Sequence, residues 1–258
     1  MNPTYLLEAV IYGAKHKILI NDIPASIDLT GQPLNSEISI NEFLIDNLSE
    51  FTVELFPPVD NETLLKRTEL QVVIKKVIVQ NENLESIQIF KHVKDIDAMT
   101  DLPSYRYSEK FNVDIDSRRP PWLDNIFIDA QSTSTIEKFI SAFQNIRTLF
   151  LNKQVDQILN LYDNKFKYFE RCYYLESGNR NKVTRDKLLS TFDDSSFIIA
   201  PFNLSILHPN LFAYGKLITL LDKQGYNYIM FYSYEKRILV EFPVYLGETS
   251  DNTISVFL

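Results

Sequence analysis

The chain has 258 residues, of which 45% are apolar and 23% charged, a composition typical of a folded protein with a sizeable core. Its single cysteine, Cys172, excludes an internal disulfide and a cysteine-ligated zinc site. No two of its six glycines lie within nine residues of each other. This spacing excludes the phosphate-binding P-loop, the GxGxxG turn and the GxSxG elbow, because each of these motifs needs clustered glycines.

The first eight residues contain no basic run followed by a long apolar stretch, so we expect no signal peptide. No segment approaches the roughly 18 consecutive apolar residues of a membrane span, and we expect no membrane partner. A single thiol suits a reducing compartment, which predicts a cytoplasmic protein. The three histidines lack metal-ligand spacing, so we predict neither a metal nor another cofactor. His16 stands between Lys15 and Lys17 and is expected to be exposed to solvent.

The net charge of −8 is unevenly distributed along the chain. Residues 1–131 carry 21 acidic and 12 basic side chains, a net charge of −9. Residues 132–258 carry 13 acidic and 14 basic side chains, a net charge of +1. An acidic surface repels a phosphate backbone, so we expect no nucleic acid partner, and it attracts a basic protein partner. Ordinary solubility is the alternative explanation of this charge.

The first 115 residues alternate apolar and polar side chains in short runs. The segments 37–40 and 51–56 alternate strictly, and 70–79 is rich in β-branched residues, which are features of β-strands. Runs of this kind at roughly ten-residue spacing favour an antiparallel β-sandwich, which we place at residues 1–117. The predicted strands are 5–12, 17–20, 37–40, 51–56, 70–79, 85–90 and 110–115.

The segment 18–55 resembles part of the jelly-roll-like β-sandwich modules. In those modules a hairpin with an Asn-Gly turn is followed by a short helical turn that feeds the next strand. Here Asn21-Asp22 takes the place of the hairpin turn, and residues 41–47 take the place of the helical turn. Asp22 and Asp46 stand where such modules prefer glycine, and aspartate tolerates a positive φ better than most residues do. The resemblance implies these turns and no particular function.

Residues 118–131 form the predicted linker, because Pro120-Pro121 can neither continue a helix nor lie inside a central strand. Trp122, the only tryptophan, is expected to anchor the linker against one of the domains. We therefore expect a second domain at residues 132–258.

The second domain begins with helical periodicity and ends with strand patterns. Ser134 and Glu137 fit a capping box, and apolar residues follow at helical spacing up to Phe150. Two further helices are predicted at 155–174 and 181–192. The predicted strands are 197–199, 211–221, 226–234, 238–246 and 253–258. This order favours an α+β domain with three helices on one face of an antiparallel sheet.

That order of elements resembles the cone-shaped fold of the nuclear transport factor-like superfamily. In that fold three helices lie in the concave side of a bent antiparallel sheet. The resemblance covers residues 132–258 and rests on the order and length of the elements. It implies either an enzyme with acid–base groups inside the cone or a non-catalytic binding module, since the superfamily contains both.

The predicted strand 226–234 places several tyrosines on one face. Tyr226, Tyr228 and Tyr232, together with Asp163 on the second helix, are the candidates for a ligand pocket. The same tyrosines would equally suit a half-exposed sheet surface or a homodimer interface, because tyrosine is common in both. The 18 phenylalanines of the chain favour a filled cone.

We expect a non-catalytic protein whose function is to bind another protein. The candidate binding residues are the acidic side chains Glu42, Asp46, Glu50, Asp95, Asp97 and Asp101. The order of the domains, sandwich and then cone, resembles bacterial proteins of which some accompany type VI secretion systems. That resemblance implies an immunity protein that neutralises a basic toxin. The alternative is a small-molecule binder or enzyme that uses the cavity of the cone.

Overall fold

The computed structural model describes residues 3–80, 83–94, 100–115, 119–201 and 207–257. The chain divides into two compact units, Met1–Pro120 (unit 1) and Pro121–Leu258 (unit 2). Within the described residues unit 1 contains strands and one 3-10 turn, and unit 2 contains four α-helices, further strands and a second 3-10 turn. All sheets are antiparallel, which confirms the predicted α+β class.

Eight strands of unit 1 form two four-stranded sheets. They are β1 Thr4–Tyr12, β2 Lys15–Ile20, β3 Ile23–Asp28, β4 Leu34–Ser39, β5 Asn47–Phe56, β6 Glu69–Gln80, β7 Asn83–Lys94 and β8 Tyr105–Val113. The strand orders are β4-β1-β6-β7 and β3-β2-β5-β8. A 3-10 turn at Asn41–Phe43 precedes β5.

One hydrophobic core collects side chains from both sheets of unit 1. The strand β1 alternates buried and half-buried positions, and its buried side chains include Tyr5, Leu7 and Ile11. Ile18 of β2 and Phe51 of β5 enter the same core. Because successive side chains of a strand point to opposite faces, each sheet contributes one face to this core.

His16 is buried, in contrast to the expectation of exposure. It shares a face of β2 with Ile18 and Ile20, so the alternation of the strand places it in the interior. Its Nε2 lies 3.0 Å from the Ser26 hydroxyl, and its Nδ1 is buried without a hydrogen-bond partner among the described residues. Burial lowers the pKa of His16, against a smaller opposing effect of the Asp28 carboxylate.

The lowered pKa of His16 predicts that unit 1 loses stability as the pH falls. In the unfolded chain the imidazole binds a proton near its ordinary pKa of 6.5, whereas the folded chain does not bind it until a lower pH. The free energy of unfolding should therefore decrease as the pH is lowered from about 7 to about 5. Urea titrations across this range should show the decrease for the native chain and a smaller one for His16→Gln. The exposed His208, replaced in His208→Gln, is the control, and equal pH slopes in the two variants would contradict this assignment.

Asn21 and Asp22 form the turn between β2 and β3 with positive φ angles of 52° and 61°. Asn21 Nδ2 donates to the Phe43 carbonyl at 2.7 Å and to the Ser49 hydroxyl at 3.2 Å. Its Oδ1 accepts from the Glu50 N–H at 2.8 Å. The Asn21 side chain therefore connects the 3-10 turn and the start of β5 to the hairpin through hydrogen bonds.

The second predicted turn differs by one residue from the expectation. Asn47, with φ of 67°, adopts the left-handed conformation that the glycine-containing modules led us to place at Asp46. Asparagine and aspartate are the non-glycine residues that best tolerate this region, so either residue would serve. The local pattern of hairpin, short helical turn and strand is present as the jelly-roll resemblance implied.

Unit 2 contains four helices and seven strands among its described residues. The helices are α1 Thr133–Leu151, α2 Val155–Leu161, α3 Asp163–Cys172 and α4 Asn179–Asp193. The strands are β9 Ile198–Ile199, β10 His208–Phe212, β11 Leu217–Leu221, β12 Met230–Ser233, β13 Ile238–Glu241, β14 Leu246–Glu248 and β15 Ile254–Val256. The sheet orders are β10-β11-β14-β15 and β13-β12-β9. A 3-10 turn, Pro121–Asp124, buries Trp122 completely.

The predicted helix 155–174 is two helices that meet at Tyr162. Tyr162 has φ of −91° and ψ of 1°, and its hydroxyl donates to the Pro243 carbonyl at 3.3 Å. This conformation lies between the helical and extended regions and bends the chain. The bend lets Ile158 of α2 and Phe166 of α3 enter one core. No glycine or proline marks the bend, so the periodicity alone did not reveal it.

Three further expectations for unit 2 were wrong in detail. Ser132, and not Ser134, caps α1, because the Ser132 hydroxyl accepts from the Thr135 N–H at 3.3 Å. The predicted strand 211–221 is the β10–β11 hairpin, which turns through residues with positive φ at 213–215. The predicted strand 226–234 is regular only in β12, because the Asp222 carboxylate holds the preceding segment in a turn.

The hydrophobic core of unit 2 is built from aromatic side chains. Phe139, Phe143 and Phe150 of α1 are fully buried, and Phe166 of α3 and Phe231 of β12 join the same cluster. The rings pack at centroid distances near those of attractive aromatic pairs, such as 5.1 Å between Phe150 and Phe242. The space between α1 and the strands is thus occupied by phenylalanine rings.

Candidate functional site

The predicted acidic residues of unit 1 fall into two groups at opposite ends of one ladder. Glu42, Asp46 and Glu50 belong to the segment that joins the 3-10 turn to β5, whereas Asp101 precedes β8. The ladder pairs Asn47 with Val113 at one end and Leu55 with Tyr105 at the other. At 3.3 Å per residue, the two groups lie roughly 25 Å apart along the strands. Asp95 and Asp97 lie outside the described residues.

The first group, which we call the acidic turn, is defined by Glu42, Asp46 and Glu50. All three are half-buried, and Asn21 accepts a hydrogen bond from the backbone N–H of Glu50. Leu48, 46% exposed, lies between two of them. Lys110 of β8 stands directly opposite Glu50 in the ladder, so the negative potential is partly compensated there. The segment can offer carboxylates around one exposed apolar side chain.

A groove of about 640 Å³ in unit 2 brings three of the pocket candidates together. We call it the tyrosine groove, after its lining residues Tyr226, Tyr228, Tyr232 and Tyr234. Met230 and Leu239 add apolar surface to the same lining. The tyrosines meet there although they do not share one strand, because the turn after Asp222 directs the segment back along β11.

Tyr228 belongs to both the groove and the core. Its ring meets Phe143 edge-on at 6.0 Å, and the Arg147 guanidinium lies 5.4 Å from its centroid. Burial raises the pKa of Tyr228, and the nearby Arg147 partly opposes this rise. The phenol therefore stays protonated near neutral pH and can act as a hydrogen-bond donor.

Asp163 does not join the tyrosines. It lies in the first turn of α3 and forms an ion pair with Lys167 at 2.6 Å, one helical turn further on. It lines a separate cavity of about 300 Å³ between α3 and α4. Glu170 lines the same cavity, but its two carboxylate oxygens accept from the N–H groups of Gly178 and Arg180 at 3.0 and 2.6 Å. This arrangement stabilises the start of α4 and leaves no carboxylate pair poised for acid–base chemistry there.

Sequence reasoning missed two polar residues of the tyrosine groove. Asn227 donates through Nδ2 to Glu241 at 3.2 Å, and its Oδ1 is buried without a partner among the described residues. Arg237 is exposed at the β12–β13 turn, with φ of 54°. The charged trio at 235–237 marked this turn, but nothing in the sequence placed it beside the tyrosines.

In the described part of the chain, no three His, Cys, Asp or Glu side chains are placed to hold a metal ion. No helix of the described segments has the length and apolar character needed to cross a membrane. Cys172 is a free cysteine and is buried. Comparison of this chain with protein-family models, with curated proteins and with solved structures finds no match.

Proposed function

We propose that this chain is a non-catalytic, cytoplasmic protein-binding module, and that its partner is a basic protein. The observation that carries the proposal is the charge of unit 1, which has 19 acidic and 12 basic side chains, a net charge of −7. Such a surface accelerates the approach of a positively charged partner. The acidic turn supplies the contact, because Asn21 holds it in one conformation and so lowers the entropy lost on binding.

We further propose that the partner is a toxin of a type VI secretion system and that the chain is its immunity protein. Support comes from the resemblance in domain order and from the acidic excess, which suits a basic effector such as a nuclease. We also propose that unit 2 has the cone-shaped fold of the nuclear transport factor-like superfamily. The order of its elements, helices and then antiparallel strands around one aromatic core, supports this proposal.

Co-expression with the product of the adjacent gene tests the toxin proposal. The neighbouring product should co-purify with the native chain, and the association rate should fall as salt rises. Asp46→Lys/Glu50→Lys should lower that rate about tenfold and flatten its salt dependence. The matched control, Glu37→Lys/Glu69→Lys, makes the same charge change at exposed sites of the other sheet. Failure of the neighbour to co-purify, or equal rates for the two double variants, would count against the proposal.

The tyrosine groove favours a second candidate function, the binding of a small molecule. Its volume of about 640 Å³ lies within the range of ordinary ligand pockets, roughly 300–1,000 Å³. Its lining combines apolar side chains with phenol hydroxyls, which is the usual composition of such sites. The groove is distinct from the interior of the proposed cone, where Phe139, Phe143 and Phe166 occupy the space.

A further inference from the structure

The hydrogen-bond acceptors that line the tyrosine groove are largely engaged by the chain itself. Asp222 Oδ1 accepts from two backbone N–H groups of the following turn, at 2.8 and 2.9 Å. The Ser233 hydroxyl bonds to the Ser196 hydroxyl at 2.9 Å and accepts from a backbone N–H at 3.2 Å. Asn227 Oδ1 is buried below the surface of the groove. The side chains of the groove therefore offer a bound molecule few acceptors.

Two donors of the groove have no partner among the described residues. The exposed Arg237 guanidinium forms no ion pair or hydrogen bond within the described ranges. The hydroxyl of the half-buried Tyr226 likewise has no hydrogen-bond partner in those ranges. Glu235, the acidic residue nearest to Arg237 along the chain, does not belong to the lining. The groove thus presents a positive charge that no carboxylate pairs with, together with an O–H donor.

The turn that carries Arg237 is held in place by the residue before it. The Lys236 N–H donates to the Ser233 hydroxyl at 3.2 Å, and the Lys236 ammonium group forms an ion pair with Asp194. Arg237 itself has φ of 54°, a conformation that few non-glycine residues adopt. Because the backbone is fixed in this way before binding, an anion bound by Arg237 costs less conformational entropy.

The apolar part of the lining suits an aromatic ring. The rings of Tyr232 and Tyr234 meet edge-on with centroids 4.7 Å apart, and Met230 and the half-exposed Leu239 lie in the same lining. Aromatic rings attract one another in edge-on and offset arrangements, and a methionine sulfur contacts ring edges favourably. These contacts give an aromatic ring more attraction than an alkyl chain of equal area.

We propose that the tyrosine groove binds a small aromatic molecule that carries a negatively charged group, such as a carboxylate, sulfonate or phosphate. Arg237 binds the anionic group, the Tyr226 hydroxyl donates a hydrogen bond to the same molecule, and the ring packs against Met230, Leu239 and the tyrosine rings. The inference rests on the second candidate function, the binding of a small molecule, and adds the charge and the ring character of that molecule.

Two fluorescent probes with the same ring system test the proposal. Anilinonaphthalene sulfonate carries one negative charge, and phenylnaphthylamine lacks it. Both should bind the native chain with a rise in fluorescence. Arg237→Gln should lower the affinity for the sulfonate about tenfold and leave that for the neutral probe unchanged. The affinity of the native chain for the sulfonate alone should fall as the salt concentration rises.

Arg67→Gln is the matched control, because Arg67 is an exposed arginine of unit 1, and this variant should bind both probes as the native chain does. Leu239→Ala should weaken both probes about threefold, because part of the apolar contact is lost. Circular dichroism should show that all variants are folded.

The possible failures differ in what they overturn. Equal affinities of the native chain and Arg237→Gln for the sulfonate overturn the anion assignment and leave the groove as a site for neutral molecules. Probes that Leu239→Ala does not weaken bind outside the groove, which overturns the proposal as well. A native chain that binds neither probe overturns the proposal together with the small-molecule candidate function.

Discussion

Replacing Asn21 by alanine is expected to lower the free energy of unfolding of unit 1 by about 3 kcal/mol. The change removes three hydrogen bonds, to Phe43, Ser49 and Glu50, and forces alanine into a left-handed conformation. Asn21→Gly separates the two effects, because glycine adopts a positive φ freely and loses only the side-chain bonds. We expect a loss of about 2 kcal/mol for the glycine variant.

Hydrogen exchange followed by mass spectrometry measures this loss within unit 1, because peptides from each unit are read separately. Asn112→Ala is the control, since Asn112 is an exposed asparagine on β8. Equal protection of β2 and β5 in the native chain and in both Asn21 variants would show that the Asn21 hydrogen bonds contribute nothing to stability. If the proposed function is correct, the glycine variant should also bind the basic partner more weakly, because its acidic turn is less ordered.

Replacing Glu170 by alanine is expected to destabilise unit 2 by about 3 kcal/mol. The residue before α4 is Gly178, which has no side chain to cap the helix, and the Glu170 carboxylate of α3 takes that role through two backbone N–H groups. Glu170 is only 5% exposed, so its carboxylate makes these two charge-assisted hydrogen bonds largely out of contact with water. Glu170→Gln keeps one acceptor oxygen and should cost about half as much.

The fluorescence of Trp122 makes this measurement simple. Trp122 is the only tryptophan, belongs to unit 2 and is fully buried, so its emission should change when the segment at the start of unit 2 unfolds in urea. Glu176→Gln removes an exposed carboxylate from the same segment and should leave the unfolding midpoint nearly unchanged. A shared midpoint for Glu170→Ala and Glu176→Gln would refute the capping role.

Features determined by local chemistry were predictable from the sequence, and features determined by distant contacts were not. Alternation along residues 51–56 predicted the strand that is β5, and Asn21-Asp22 predicted a turn, because both signals lie within a few neighbouring residues. The bend at Tyr162 is accompanied instead by a hydrogen bond to the carbonyl of Pro243, 81 residues away. The prediction for His16 failed for the same reason. Its lysine neighbours favoured exposure to solvent, whereas its position in the sheet places the side chain in the core.

The candidate sites also combine features set by neighbouring residues, which were predictable, with features set by distant contacts, which were not. The tyrosines of 226–234 line one groove, but a turn and not a continuous strand brings them together. Asp163 was assigned to them because it follows the apolar stripe of the predicted second helix, but it pairs with Lys167, one turn further along α3. Arg237 and Asn227 were missed because their position in the groove depends on how β12 and β13 pair.

The distance between the acidic turn and Asp101 limits the size of any molecule that touches both. An extended peptide would need about eight residues to reach from the acidic turn to the other end of the ladder. A compact domain of about 100 residues has a radius of gyration near 13 Å and so spans about 30 Å, which is also enough to bridge the two ends. Simultaneous loss of affinity on neutralising either end would therefore show that the bound molecule covers the full length of the β5–β8 ladder.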